Sequence, residues 1–189
     1  MAESSSSIDV GAAFLADARV VFAKQKRLAE RALAQIADDR FFEVLGPAEN
    51  SVAIILKHMA GNMRSRWRDF LTTDGEKPDR NRDAEFEHEG ESRADVLGRW
   101  EQGWATLFAA IDGLGPDDLL REVRIRGEVH TVLQAINRQL DHYAYHVGQI
   151  VQLARHFAGE GWETLSIARR QSHAFSDGAR KPPVENPPA

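Results

Sequence analysis

Residues 131–157 constrain the fold of this chain most. Val132, Ile136, Leu140, Tyr143, Val147, Ile150, Ala154 and Phe157 recur there at three- and four-residue steps. At about 100° per residue these side chains fall on one stripe. The run is therefore a long amphipathic helix that has to bury the stripe against other elements. On the shoulder of the stripe, roughly 60–100° from its centre, lie His142 and His146, with Gln139 and Gln149 beside them. Imidazoles at i and i+4 point the same way from adjacent turns, and two such nitrogens can hold one metal ion at about 2 Å. The same spacing suits two core-edge histidines that are merely hydrogen-bonded, and the pair alone leaves both readings open. The zinc-protease pattern H-E-x-x-H is absent, because Tyr143 stands where the glutamate general base would be.

The rest of the chain supplies three more helices to pack against. Asp9 is placed to cap a first helix with Phe14, Leu15, Val20, Val21, Leu28, Ala32 and Ile36 on its apolar side, ending near Asp38-Asp39. After a connector containing Gly46-Pro47, Asn50 or Ser51 caps a second helix with the stripe Val52, Ile55, Met59, Met63 and Phe70. His58 and Asn62 sit on the shoulder of that stripe. A lone histidine there suits a structural role, but it also offers a third imidazole to the His142–His146 pair. Ser92 caps a third helix that turns Val96, Leu97, Trp100, Trp104, Leu107, Phe108 and Ile111 inward, and Gly113-Leu114-Gly115-Pro116 stops it.

Between the second and third helices, residues 71–91 are polar and lack a helical period. A connector of that length suits a crossover along the bundle, letting the helices it joins run parallel, and it can also cover one end of a site. It holds one Glu-x-x-His, Glu85 to His88. A di-iron bundle needs two such motifs on helices and two further glutamates, so that chemistry is set aside. Residues 122–127 alternate polar and apolar and read as a short extended segment before the last helix. Four long helices and no sheet give an all-α four-helix bundle, one domain over residues 8–175 with flexible tails at 1–7 and 176–189.

Composition removes several functions. The chain has no cysteine, hence no disulfide, thiolate ligand or cysteine nucleophile. Its first residues lack the pattern of a signal peptide, and no run approaches the ~20 apolar residues of a membrane span, so a cytoplasmic protein without a membrane role is expected. A net charge of −5 disfavours nucleic acid as a partner. Arg64, Arg66 and Arg68, and Arg121, Arg124 and Arg126, read as solvated or structural arginines rather than a basic patch. Trp67, Trp100 and Trp104 offer more aromatic surface than one small core needs, which suggests a homodimer.

One histidine in the second helix and Asp-His-x-x-x-His-x-x-Gln in the last, Asp141 to Gln149, give the chain a resemblance to the DinB/YfiT-like superfamily of metal-binding four-helix bundles. Within it the chain resembles a bacterial branch of unknown function. The closer likeness lies in residues 50–63, Arg66-Trp67, residues 69–77 and residues 135–150. It extends over roughly residues 8–175, and its motifs are specific in the second and fourth helices. The resemblance implies an up-down-down-up bundle and a divalent ion, usually nickel or zinc, on His58, His142 and His146. Relatives in other branches transfer low-molecular-weight thiols to electrophiles, or isomerise with a thiol cofactor.

Two readings follow. One is a metal-dependent enzyme, a thiol S-transferase or a hydrolase, acting on a small-molecule substrate. In it Asn62, Gln139 and Gln149 stand around the metal or the pocket, a low-molecular-weight thiol serves as cosubstrate, and no residue stands out as a general base. The other is a non-enzymatic dimeric stress-response or binding protein whose metal site is structural or vestigial.

Overall fold

The computed structural model describes residues 9–173, and the tails expected at 1–7 and 176–189 lie outside the described residues. Four long helices make up most of it: α1 (Val10–Leu33), α2 (Val52–Trp67), α3 (Arg93–Asp112) and α4 (Val132–Ala158). Their starts are capped by side chains that accept the free N–H groups of the first turn. Asp9 accepts from Ala12, and Ser51 from Ile54. Ser92 with Asp95, and Thr131 with Gln134, form reciprocal capping boxes. α2 is the central helix, buried on nearly every side. It packs on α3 while α1 packs on α4. α2 and α3 approach closely at Gly103, where a Cβ would lie 3.2 Å from the Ala60 Cα.

α1 is rotated from the expected register. Its buried side is Leu15, Ala18, Phe22, Gln25, Ala29 and Ala32, whereas Val20 is 60% exposed. Phe22 is what fixes the rotation. Its ring sits 6.2 Å from Trp67, 6.5 Å from Trp104 and 5.9 Å from Tyr143, filling the centre of the bundle. α1 also stops at Leu33, short of Asp38. There Arg93 donates to the Leu33 and Ile36 carbonyls at 2.8 and 2.9 Å, satisfying acceptors that a longer helix would have used itself.

The expectation of no sheet is corrected by a two-stranded antiparallel ribbon, β1 (Glu122–Ile125) and β2 (Glu128–Thr131). Arg126 and Gly127 between the strands have φ of 56° and 79°, the left-handed pair that closes a tight hairpin. Asp74 accepts from both of their N–H groups, at 2.8 and 2.7 Å, and Gly75 donates to the Arg124 carbonyl at 2.8 Å. The partner that stabilises the turn is thus about fifty residues away, where local alternation carries no trace of it.

Trp67, Trp100 and Trp104 are each at most 2% exposed. They form the core with Phe22, Tyr143, Leu107 and Ile136, so the aromatic surface invoked for a homodimer is inside the molecule. No helix among the described residues is long and apolar enough to cross a membrane. The long connector does not hang free. Its short 3-10 turn Asp83–Phe86 lies against α2, and this places a carboxylate beside His58.

Candidate metal centre

α2 contributes His58, and adjacent turns of α4 contribute His142 and His146. The Nε2 atoms of His58 and His142 are 3.4 Å apart, and those of His142 and His146 are 3.1 Å apart. One ligand atom from each of the three lies within 4.8 Å of the others. Nitrogens bound at about 2.0–2.1 Å around a tetrahedral ion are separated by roughly 3.3–3.4 Å, so the donor set fits one divalent cation.

Two of the rings are held by their other nitrogen. His58 Nδ1 faces Glu85 Oε2 at 3.0 Å, and the Glu85 carboxylate is gripped by Arg80 through Nε and Nη2, each at 2.8 Å. An Nδ1–H donated to a carboxylate leaves the Nε2 lone pair free to point at the cluster. Burial pushes the Glu85 carboxyl up, but its bonds to His58 and Arg80 outweigh that and bring it below its usual range. Space for the carboxylate comes from Gly61, since a Cβ there would lie 2.1 Å from Glu85 Oε1. His146 Nδ1 is 2.8 Å from Gln149 Oε1, which fixes that ring in the same sense. The Nδ1 of His142 is buried without a partner. Behind the histidines, Trp67 Nε1 donates to the Tyr143 hydroxyl at 3.1 Å, and that hydroxyl donates to Asn62 Oδ1 at 3.0 Å. Burial raises the Tyr143 pKa, so the phenol stays a neutral donor that ties α4 to α2.

The remaining candidates fall in different places. Asn62 and Gln139 are buried and line a cavity beside the histidines. Asp141 lies at its exposed rim. Tyr145 is 63% exposed at the same rim, where its ring lies 5.0 Å from that of His146 and its hydroxyl accepts from Gln149 at 3.3 Å. Glu85 was not among the candidates. Its Glu-x-x-His pairing pointed to a di-iron pattern, yet the two residues separate. His88 turns outward against Phe42, with ring centroids 4.6 Å apart, while Glu85 turns in. The available signal was Phe86, which needed a dry surface and found it over His58, with ring centroids 5.0 Å apart.

Burial first, then the neighbouring His146 and His58, push His142 down to about 3. Burial also lowers His146, against the opposing bond from Gln149. Both rings are therefore neutral at pH 7, the form that ligates metal. The sign of the pH dependence follows. An unfolded histidine takes up a proton near pH 6.5, whereas folded His142 refuses it until about pH 3. Between those values the unfolded chain binds the extra proton, so stability falls as pH falls. Metal-free protein is expected to lose thermal stability progressively from about pH 6.5 downward, with a shallower slope in His142→Asn. Melting temperatures recorded against pH check this, and equal slopes in the two proteins would contradict it.

No curated protein matches the chain. A family model described as a protein of unknown function, DUF1572, matches residues 9–171, and the chain belongs to that family.

Proposed function

We propose that His58, His142 and His146 form the metal centre of an enzyme that transfers a low-molecular-weight thiol to an electrophilic small molecule. The observation that carries this reading is the convergence of three Nε2 atoms beside a cavity, with two of the rings oriented from behind by Glu85 and Gln149. Nickel and zinc are the ions proposed, as in the DinB/YfiT-like superfamily to which we assign the chain. When bound by His58, His142 and His146, such an ion would supply Lewis acidity that lowers the pKa of a water or thiol. The protein's own part is to hold His142 and His146 neutral, to orient His58 and His146 through Glu85 and Gln149, and to shape the cavity around Asn62 and Gln139. With no cysteine in the chain, the thiol is a small molecule, which suits a cytoplasmic enzyme.

The same reading includes one domain over residues 8–175 and an up-down-down-up order. Cross-helix pairs support that order. Arg19 meets Asp112 and Lys26 meets Glu101, so α3 runs against α1. Gln25 meets the Leu140 carbonyl on α4, and Arg31 meets the Leu165 carbonyl in the segment that follows it, which supports α4 running with α1. A homodimer rests on the superfamily resemblance and not on the tryptophans.

The test is conjugation of a fluorogenic electrophile by zinc- or nickel-loaded protein with glutathione, mycothiol or bacillithiol. Metal-dependent turnover that His146→Ala abolishes is expected. Strong thermal stabilisation by metal without turnover with any thiol would move the assignment to the non-enzymatic binding protein.

A further inference from the structure

The cavity beside the histidines has a volume of about 450 Å³, and its charge is opposite to that of the chain. Five arginines line it: Arg66 from α2, Arg80 and Arg82 from the connector, Arg126 from the hairpin turn and Arg138 from α4. Against them stand Asp141 at the rim and two carboxylates already engaged. Glu85 holds Arg80, and Glu76 holds Arg80 and Arg126 at 3.1 Å each. Arg82 and Arg138 have no ion pair among the described residues. In a chain of net charge −5 this is a local excess of positive charge in a concave site.

Three buried polar groups on the wall of this cavity also lack partners. Arg66 is 4% exposed, its nearest carboxylate oxygen, on Glu76, is 4.0 Å away, and its Nε and Nη1 have no acceptor. Gln139 Oε1 and His142 Nδ1 are likewise unpartnered. Buried polar groups without partners are few in native folds, and each calls for a reason. Arg126 adds a further sign. It occupies a left-handed position that favours glycine or asparagine, and it lines the cavity from there, with Nε donating to Glu76.

We propose that this cavity binds an oxyanion group, a carboxylate or a phosphate, of the small-molecule substrate, with Arg66 and Arg138 as its main anchors. Guanidinium is the side chain best matched to such a group, because its planar N–H fork meets two oxygens at once. The arginines come from four different elements and converge on one cavity of about 450 Å³, which suits a small anion better than an extended polyanion. The proposal rests on the metal-centre reading for the reacting end of the substrate, since the same cavity is lined by His58 and His142.

The experiment is calorimetric titration of the full chain with succinate, inorganic phosphate and neutral succinamide at fixed ionic strength, in zinc-loaded and chelator-stripped protein. Saturable binding of succinate or phosphate is expected, without binding of succinamide, weakened about tenfold or more by Arg138→Gln and by Arg66→Gln. Arg138 is exposed and unpaired, so its variant tests the idea even where Arg66→Gln fails to fold. Binding of succinate alone assigns a carboxylate, and binding of phosphate alone assigns a phosphate. No saturable anion binding, or binding unchanged in Arg138→Gln, overturns the proposal. Anion binding retained in a His146→Ala protein, beside a parent that takes up no metal, would uphold the anion site while the metal reading fails. Metal uptake without anion binding would do the reverse.

Discussion

Protein purified without an affinity tag or chelator, and offered zinc or nickel, is expected to take up about one equivalent, and His146→Ala almost none. The expectation rests on the donor geometry. His142 and His146 are locked at i and i+4 on a capped helix of 27 residues, and His58 meets them from a helix buried on nearly every side. Little rearrangement remains for binding to drive, so the ordering cost of assembling three ligands has been met by folding. Removing a partner behind a ligand typically costs 10–100-fold in affinity, and removing a ligand outright is expected to exceed about 100-fold. His146 is only partly buried, so its truncation leaves the core intact and the variant folded. The fold therefore acts as its own control. Metal at about a hundred times its dissociation constant stabilises the parent by about 2.7 kcal/mol, read as a rise in melting temperature, and leaves His146→Ala unmoved. No uptake by either protein would mean that the three imidazoles sit together for structural reasons alone, and equal uptake by the two would remove His146 from the site.

What the sequence makes legible follows from how locally each feature is encoded. The α4 stripe from Val132 to Ala154 is strictly periodic, so helix, buried face and the shoulder placement of His142 and His146 all read from one segment. His58 reads in the same way from α2, where Val52, Ile55, Met59 and Met63 define the stripe. α1 is harder, since its small and large apolar residues spread around the helix. There the choice of Phe22 over Val21 was made by Trp67, Trp104 and Tyr143 on other helices. The ribbon depends on Asp74 capturing the N–H groups of Arg126 and Gly127, a long-range bond that no period reveals. The tryptophans showed their size but not that a four-helix core would enclose all three. The arginines read as solvated or structural, and the sequence does not say which is which. Arg66 sits among Arg64 and Arg68 in the sequence, and their spread of directions suits either role. Yet about 200° of rotation separates an exposed Arg64 paired with Asp79 from a buried Arg66 on the cavity wall.

Glu85→Ala is expected to act twice, and the two effects can be separated. Glu85 is 8% exposed and Arg80, its partner, has a side chain 4% exposed. Removing the carboxylate leaves a buried guanidinium with only Glu76 at 3.1 Å, and breaking a buried pair from one side costs about 3–5 kcal/mol. Chemical denaturation reads that loss. The same truncation frees His58 Nδ1, so the ring can turn or adopt the other tautomer, and metal affinity is expected to fall about 10–100-fold. Glu85→Gln keeps an acceptor for His58 while removing the charge that holds Arg80, so it should retain more affinity than the alanine variant. The double variant Glu85→Ala with Arg80→Met removes both charges together. It should recover much of the lost stability, because no unpaired ion remains buried, yet recover none of the lost affinity, because His58 still lacks its partner. If affinity returned along with stability, Glu85 would act on the site only through the packing of the connector. If Glu85→Ala bound metal as tightly as the parent, the carboxylate would have no part in orienting His58.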